Sequence, residues 1–406
     1  MHSATNISEV RRFDGAPRAT LAAGVVGAAG VVVAAAFGWH DGGSVFFRAY
    51  ILNYCFVLSI ALGALFFVML QHLTRAGWSV ALRRLAELIA GTLPVLTVLF
   101  VPILIPIVLG MKGVYEWADP AVVAGDALLQ GKQAYLNVPF FVLRIVVCFG
   151  VWVLLARFFL RQSAAQDADG ALEHTERMQW WSAPGMLLYA VTVTCFSIDV
   201  LMSLNPHWFS TIWGVYFFSG CVLGFFSLLA VVVYLLQGGG RLTRSITLEH
   251  YHDVGKFAFA FVVFWAYIAF SQYMLIWYGN IPEETVWYRP RQGDDWWIGV
   301  SILLLMGHFV APFLALLSRY PKRRKGLLVA AAVWLLLMHW LDLYYIVAPR
   351  AHGAEGEAAH LAVSDVALLV GLGGLFAWAL LRQLGRYTLL PERDPRLGES
   401  LTFENV

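Results

Sequence analysis

Seven side chains stand inside otherwise apolar runs and could hold a proton or a polar ligand there: Asn53, Arg144, Asp199, Gln272, His308, His339 and Asp342. Asp199 is the most demanding of them. It lies in VTVTCFSIDVLMSLNPHWFSTIWG, Val191 to Gly214, a stretch that breaks at Asn205-Pro206 and resumes at once. A charged group near the middle of a membrane helix costs about 2.5–3.5 kcal/mol on insertion scales and less toward the interface, so it is seldom left without a partner or a task. Thr192, Cys195, Asp199 and Ser203 follow one another at spacings of three and four and share one helix face. Such a carboxylate serves either as a structural pair, ionic or bonded to a neighbouring backbone, or as a group that exchanges protons with a substrate.

Metal and nucleotide chemistry is not expected. Cys55, Cys148, Cys195 and Cys221 each stand alone in apolar segments, with no CxxC pair and no histidine at ligand spacing, so they read as small core residues. Two histidines for a bis-His haem would need matching depth, whereas His308 and His339 differ by about 6 Å from the helical rise. His72, His207, His250, His252, His352 and His360 fall at helix ends or in loops, where solvated or capping roles are expected. Gly238 to Gly240 follows an apolar run and opens no phosphate-binding unit, and nothing points to nucleic acid.

The elements that must position these groups follow from composition. With 60% hydrophobic and 13% charged residues and a mean hydropathy of +0.69, the 406-residue chain is far too poor in charge for a soluble domain and reads as an all-α polytopic membrane protein. Ten apolar runs are long enough to span: 19–38, 47–71, 88–110, 137–160, 182–204, 211–236, 256–278, 296–317, 326–347 and 364–384. All should be helices, because backbone polar groups facing lipid must be satisfied within their own segment. Two four-helix bundles with two outer helices are the natural packing. Arg11, Arg12 and Arg18 precede the first run as in a signal peptide, but the run exceeds a typical signal h-region and is read as a retained span.

Basic residues set the expected orientation. With the N-terminus inside, most of the 28 fall on inner flanks, and the outer side holds only Arg48, Lys112, Lys132, Arg289, Arg291 and Arg350. The expected layout is therefore an inner N-terminal segment (1–18), a membrane domain (19–384) and an inner C-terminal tail (385–406). Long loops are expected at 111–136 and 279–295 outside and at 161–181 inside, the last polar and acidic enough to be mobile.

By the helical rise, Asn53 and Arg144 lie about 9–10 Å below the outer ends of their spans, and Asp199, Gln272 and Asp342 about 8–9 Å. Five helices thus put a polar group at one level. His339 shares a face with Asp342 about one turn deeper, and His308 is near mid-span. Interhelical hydrogen bonding, about 0.6 kcal/mol per pair, accounts for Asn53. Arg144 and Asp199 are expected to face each other across neighbouring helices, where the guanidinium would hold the carboxylate ionised or leave it poised to exchange a proton. A polar layer under the outer surface suits the head group of a lipid-soluble quinone, which needs a few hydrogen-bonding groups and a proton acceptor. An ion transporter would use such a layer too.

EHYHDVGKFAFAFVVFWAYIAFSQYMLIWYGNIPEETVWY (Glu249 to Tyr288), LMSLNPHWFSTIWGVYFFSG (Leu201 to Gly220) and QHLTRAGWSVALRRLAE (Gln71 to Glu87) closely resemble the ActF-type subunits of alternative complex III. That assembly is a bacterial quinol:cytochrome c oxidoreductase, and these subunits belong to the wider NrfD/PsrC-like family of polysulfide-reductase membrane subunits. The resemblance runs through nearly all ten spans. It implies an inner-membrane subunit without haem or an iron–sulfur cluster of its own, packed beside an ActC-like paralogue and served by iron–sulfur and c-type haem subunits. A terminal oxidase is a further candidate partner. It also implies a quinone-type pocket near the outer side, with Arg144, Asp199, Gln272 and Asn53 as candidate lining.

Asp199, tuned by Arg144, is the expected proton carrier, with His339, Asp342 and His308 extending the path. His72, Glu87 and Asp253 are either inner proton feeders or simple helix-end charges. Glu116, Glu283 and Glu284 either guide protons outward or face a partner, and Trp287, Trp296 and Trp297 read as interfacial anchors. The rival readings are a self-contained secondary transporter, which substrate-coupled ion uptake in liposomes would reveal, and a structural subunit whose charges only lock helices together.

Overall fold

A computed structural model describes residues 12–13, 17–39, 41–349 and 361–405. Arg11, Arg350, His352 and His360 lie outside the described residues. Among the described residues ten helices are long and apolar enough to cross a membrane: α1 (Pro17–Gly38), α2 (Ser44–Leu73), α3 (Val80–Val108), α4 (Val138–Asp169), α5 (Leu172–Leu204), α6 (Trp213–Gly238), α7 (Leu248–Gly279), α8 (Asp295–Leu317), α9 (Lys325–Val347) and α10 (Val363–Leu384). The predicted all-α architecture is what the chain adopts. The described residues contain no strand, only an isolated bridge between Arg12 and Thr388 that brings the two ends of the chain to one face. That side is called the terminal face below, and the other the far face.

Helices α2–α5 and α6–α9 pack as two four-helix groups, joined where α2 meets α6. Helix α2 is buried almost throughout and is the pillar of the molecule. Gly63 makes its contact with α6 possible, because a Cβ there would fall 2.1 Å from the Cys221 carbonyl oxygen. Helices α1 and α10 form the outer pair. Gly27 and Gly30 of α1 meet Gly371 and Gly374 of α10 so closely that a Cβ on Gly30 would lie 2.7 Å from the Gly371 Cα. Small residues permit this backbone approach where lipid supplies no hydrophobic drive.

Two expectations fail. The 161–181 segment is not a mobile loop: α4 runs on to Asp169, Gly170 turns the chain in the left-handed region (φ 73°), and α5 starts at Leu172. Hydropathy ends where RQSAAQDAD begins, but those residues form helix readily in water, and Gly supplies the C-terminal stop. Helix α3 begins at Val80, well before the predicted 88, and carries Arg83, Arg84 and Glu87 in its buried first turns.

The C-terminal tail explains how those charges are tolerated. Asp394 pairs with Arg83, and Arg84 donates to Thr388 O (3.2 Å) and Oγ1 (2.9 Å). Arg84 also bonds Glu87 (3.1 Å) and Asp167 of α4 (2.7 Å). Ser400 donates to Trp78 O at 2.6 Å and accepts the Ala81 N–H at 3.1 Å. The segment predicted as a tail is therefore a docked cover on the terminal face.

Candidate functional site

Asn137 caps the start of α4, accepting the Phe140 N–H at 3.0 Å, and Pro139 occupies the first turn. This fixes where Arg144 enters. Opposite, the α-helical part of α5 ends at Val200, and a 3-10 turn, Met202–Leu204, leads into Asn205-Pro206. The far-face loop closes that helix end. Tyr115 OH donates to Val200 O (2.8 Å), Ser203 Oγ donates to Asp199 O, and Trp117 Nε1 donates to Ser203 Oγ (3.2 Å).

Between these ends, Arg144 and Asp199 form a two-pronged ion pair, Nε to Oδ2 at 2.7 Å and NH2 to Oδ1 at 2.9 Å. The third guanidinium arm donates to Tyr135 O at 3.0 Å, and the group stacks on the rings of Tyr135 (3.8 Å) and Phe140 (4.4 Å). Parallel bonds of this kind combine charge and geometry, and an aromatic face adds a further attraction to the cation. The Asp199 side chain is fully buried and that of Arg144 is 10% exposed. Leu143, Val146 and Val147, next to Arg144 on α4, expose apolar side chains, so the pair lies beside an apolar outer surface of a span. The same stripe of α5 continues inward, where Thr192 Oγ1 accepts from Trp152 Nε1 at 2.9 Å.

The other half of the fold holds a second polar centre. Asp342 of α9 receives hydrogen bonds from Tyr216 OH of α6 and from Trp265 Nε1 of α7 at 3.1 Å. His308 of α8 lies against Trp265, ring centroids 3.9 Å apart. It sits in a π-helical segment, Leu304–Val310, followed at once by Pro312. Proline lacks the N–H that would bond the carbonyl four residues back, which is that of His308, so the regular ladder cannot continue there. His339 Nε2 lies 2.8 Å from Ser59 Oγ of α2, and its ring fills the room left by Gly220 and Gly224 of α6.

The five-residue level does not form one pocket. Asn53 bonds Asp365 O (2.9 Å) and accepts from Trp340 Nε1 (2.7 Å), tying α2 to α9 and α10. Gln272 accepts from Ser210 Oγ (2.9 Å) and donates to Tyr288 OH (3.3 Å) in the far-face roof. Arg144 with Asp199, and Asp342 with its donors, are separate centres. Helical rise gives depth but not azimuth, and each group is satisfied by the helix it happens to face.

Among the end groups, Glu87 belongs to the Arg83–Arg84 cluster, Asp253 pairs with Lys256, and His72 is buried beside Phe159. His250 caps α7 through Thr247 and lies 3.0 Å from Ser400 Oγ. His207 binds Asp126 at 2.5 Å, with Glu116 at 3.9 Å. The Glu283 and Glu284 side chains lie on the short roof helix Pro282–Thr285, and Trp208 Nε1 donates to Glu284 O at 3.1 Å. Trp287 and Trp297 are not interfacial anchors. Both are buried in the roof, Trp287 against Trp208 and under Arg291, and Trp297 against Tyr344. Only Trp296 of the three is exposed.

Sequence reasoning missed Tyr135, Tyr216, Trp265 and Ser59. Nothing local marks them, although the four-residue spacing of Gly220 and Gly224 is the signal that a neighbour must fit against α6. Fold and composition together define a multi-pass helical membrane protein that buries Asp199 and Asp342 within its spans. Comparison with known proteins finds no matching family model and no matching curated sequence.

Proposed function

We propose that this chain is a membrane subunit of a quinol-oxidising assembly of the alternative complex III kind, and that the Arg144–Asp199 pair forms the polar end of its quinol site. The observation that carries the reading is the position of the pair beside an apolar outer surface, beneath two aromatic rings, where a lipid-soluble head group can arrive from the side. Arg144 supplies donors, Tyr135 O an acceptor, and the rings of Tyr135 and Phe140 flat contact for a planar head group. Oxidation of a quinol to a quinone releases two electrons and two protons. An iron–sulfur centre of a neighbouring subunit would take up the electrons, while Asp199 accepts one proton as general base and far-face water the other.

This reading makes the far face extracytoplasmic and places both termini in the cytoplasm of a bacterium, in keeping with the bias of basic residues toward the terminal face. An ActC-like paralogue, an iron–sulfur subunit and c-type haem subunits are the proposed partners. Affinity purification of the tagged chain tests this directly: haem c and iron–sulfur proteins should accompany it, with quinol:cytochrome c activity. Purification without them, or substrate-coupled ion uptake by the chain alone, would overturn the proposal.

A further inference from the structure

His308 is completely buried, and neither of its ring nitrogens has a hydrogen-bond partner in the protein. His339 Nδ1 is likewise buried without one. The indole that contacts His308 also donates to Asp342, which shares a face of α9 with His339, and the residues just before them meet, since a Cβ on Gly307 would lie 2.8 Å from Met338 Sδ. A neutral imidazole carries one N–H and one lone pair, so the two rings leave both donor and acceptor capacity unmet in one neighbourhood. An unmet buried polar atom bears the full cost of its lost hydration, and buried sites with several such atoms are where ordered water is found. Among the described residues no group of three or more His, Cys, Asp or Glu is placed to hold a metal ion.

We propose that His308, His339 and Asp342 line an internal water site, in which one or a few ordered waters bond the free ring nitrogens and link them to the carboxylate. The inference does not depend on quinol oxidation. Its chemical consequence is that the three groups, separate in a dry interior, become a single unit through which a proton can be passed by way of water.

Radiolytic footprinting of the purified full chain in oxygen-18 water, read by mass spectrometry, tests the proposal. Bound water should label Trp265 and His308 despite their burial, well above the dry buried control Trp152 and approaching exposed Trp277. In His308→Phe combined with His339→Phe, the label at Trp265 should be lost while that at Trp277 is unchanged. Wild-type labelling of Trp265 and His308 no higher than Trp152 would overturn the proposal without any variant. Thermal unfolding of His308→Phe is an independent measure. A dry site gains stability when an unpartnered imidazole becomes a phenyl ring, so a higher melting temperature refutes the water site and a lower one supports it.

Discussion

Replacing Arg144 and Asp199 singly and together separates a helix lock from a chemical group. Asp199→Asn removes the counter-charge and one of the two acceptor oxygens, turning the other prong into an amide nitrogen that cannot accept, and leaves the guanidinium with one amide oxygen, Tyr135 O and two ring faces. Removing one partner of a buried pair costs about 3–5 kcal/mol. Arg144 is 10% exposed and can turn toward the surface, so the lower end applies, about 3 kcal/mol or roughly a hundredfold in the folded-to-unfolded ratio. Arg144→Met strands a fully buried carboxylate and should cost about 5 kcal/mol. The double variant carries neither charge and should recover to within about 1 kcal/mol of the native chain, because hydrophobic or neutral replacement of a whole buried pair is near neutral. Unfolding in detergent, followed by tryptophan fluorescence, gives the stabilities, and steady-state quinol oxidation by the assembled complex gives the function. The double variant should fold yet lose about 10²–10⁴-fold in rate, the range for a missing general base. A stable double variant with native turnover would refute the chemical role, and additive single losses would refute the coupling itself.

Gly63→Ala should prevent α2 from meeting α6, since its Cβ would collide with backbone at 2.1 Å; a loss beyond the about 1–3 kcal/mol of ordinary overpacking is expected, while Gly373→Ala, which meets nothing within 4 Å, should unfold like the native chain. Arg84→Gln should cost about 3 kcal/mol by removing the cation that Glu87 shares with Arg83 and that Asp167 faces, and because Asp394 and Ser400 still hold the tail, limited proteolysis should cut residues 385–405 faster than in the native chain without releasing the segment outright; an unchanged rate would refute a part for Arg84 in the docking. Asp126, which caps the helix Ala127–Lys132, is held below the usual carboxylate range by its hydrogen bond with His207 and by the Leu129 and Leu128 amides. Its folded form binds a proton more weakly than the unfolded chain, so its contribution is full at neutral pH and is lost as pH falls through that depressed value. Protease nicking of 111–136 should therefore rise only in strong acid, and Asp126→Asn should remove that step; a rise beginning near neutral pH would contradict the cap.

The ten spans were legible because lipid forces one solution on each long apolar run. The Arg144–Asp199 contact was legible too, because two charges at one depth on consecutive helices have few other partners. The neighbourhood of Asp342 was not. Its donors come from α6 and α7, and with 16 Trp and 16 Tyr in the chain no spacing singles out Tyr216 or Trp265. Hydropathy also misplaced the start of α3, since it reads Arg83, Arg84 and Glu87 as the edge of a span. The fold keeps those charges inside by bringing Asp394 and Asp167 to them from residues far away in sequence. The π-helical turn at His308 lies just before Pro312, in a helix otherwise unremarkable in composition, and hydropathy does not mark it.

Asp199 and Asp342 stand in corresponding helices of the two halves, Asp199 in the last of α2–α5 and Asp342 in the last of α6–α9, yet they are set up for opposite charge balances. Both helix ends are pinned by the roof, α5 by Tyr115 and α9 by Arg291, which donates to Tyr345 O and Ile346 O at 2.9 Å each and thereby satisfies carbonyls at the negative end of that helix. Asp199 faces a guanidinium, so its centre is neutral when the carboxylate is ionised, and a proton arriving there leaves Arg144 uncompensated. Asp342 faces a phenol and an indole, so its centre is neutral when the carboxyl keeps its proton or when a nearby imidazole takes it up. Identical side chains thus meet opposite charge environments through what the neighbouring helix presents to them.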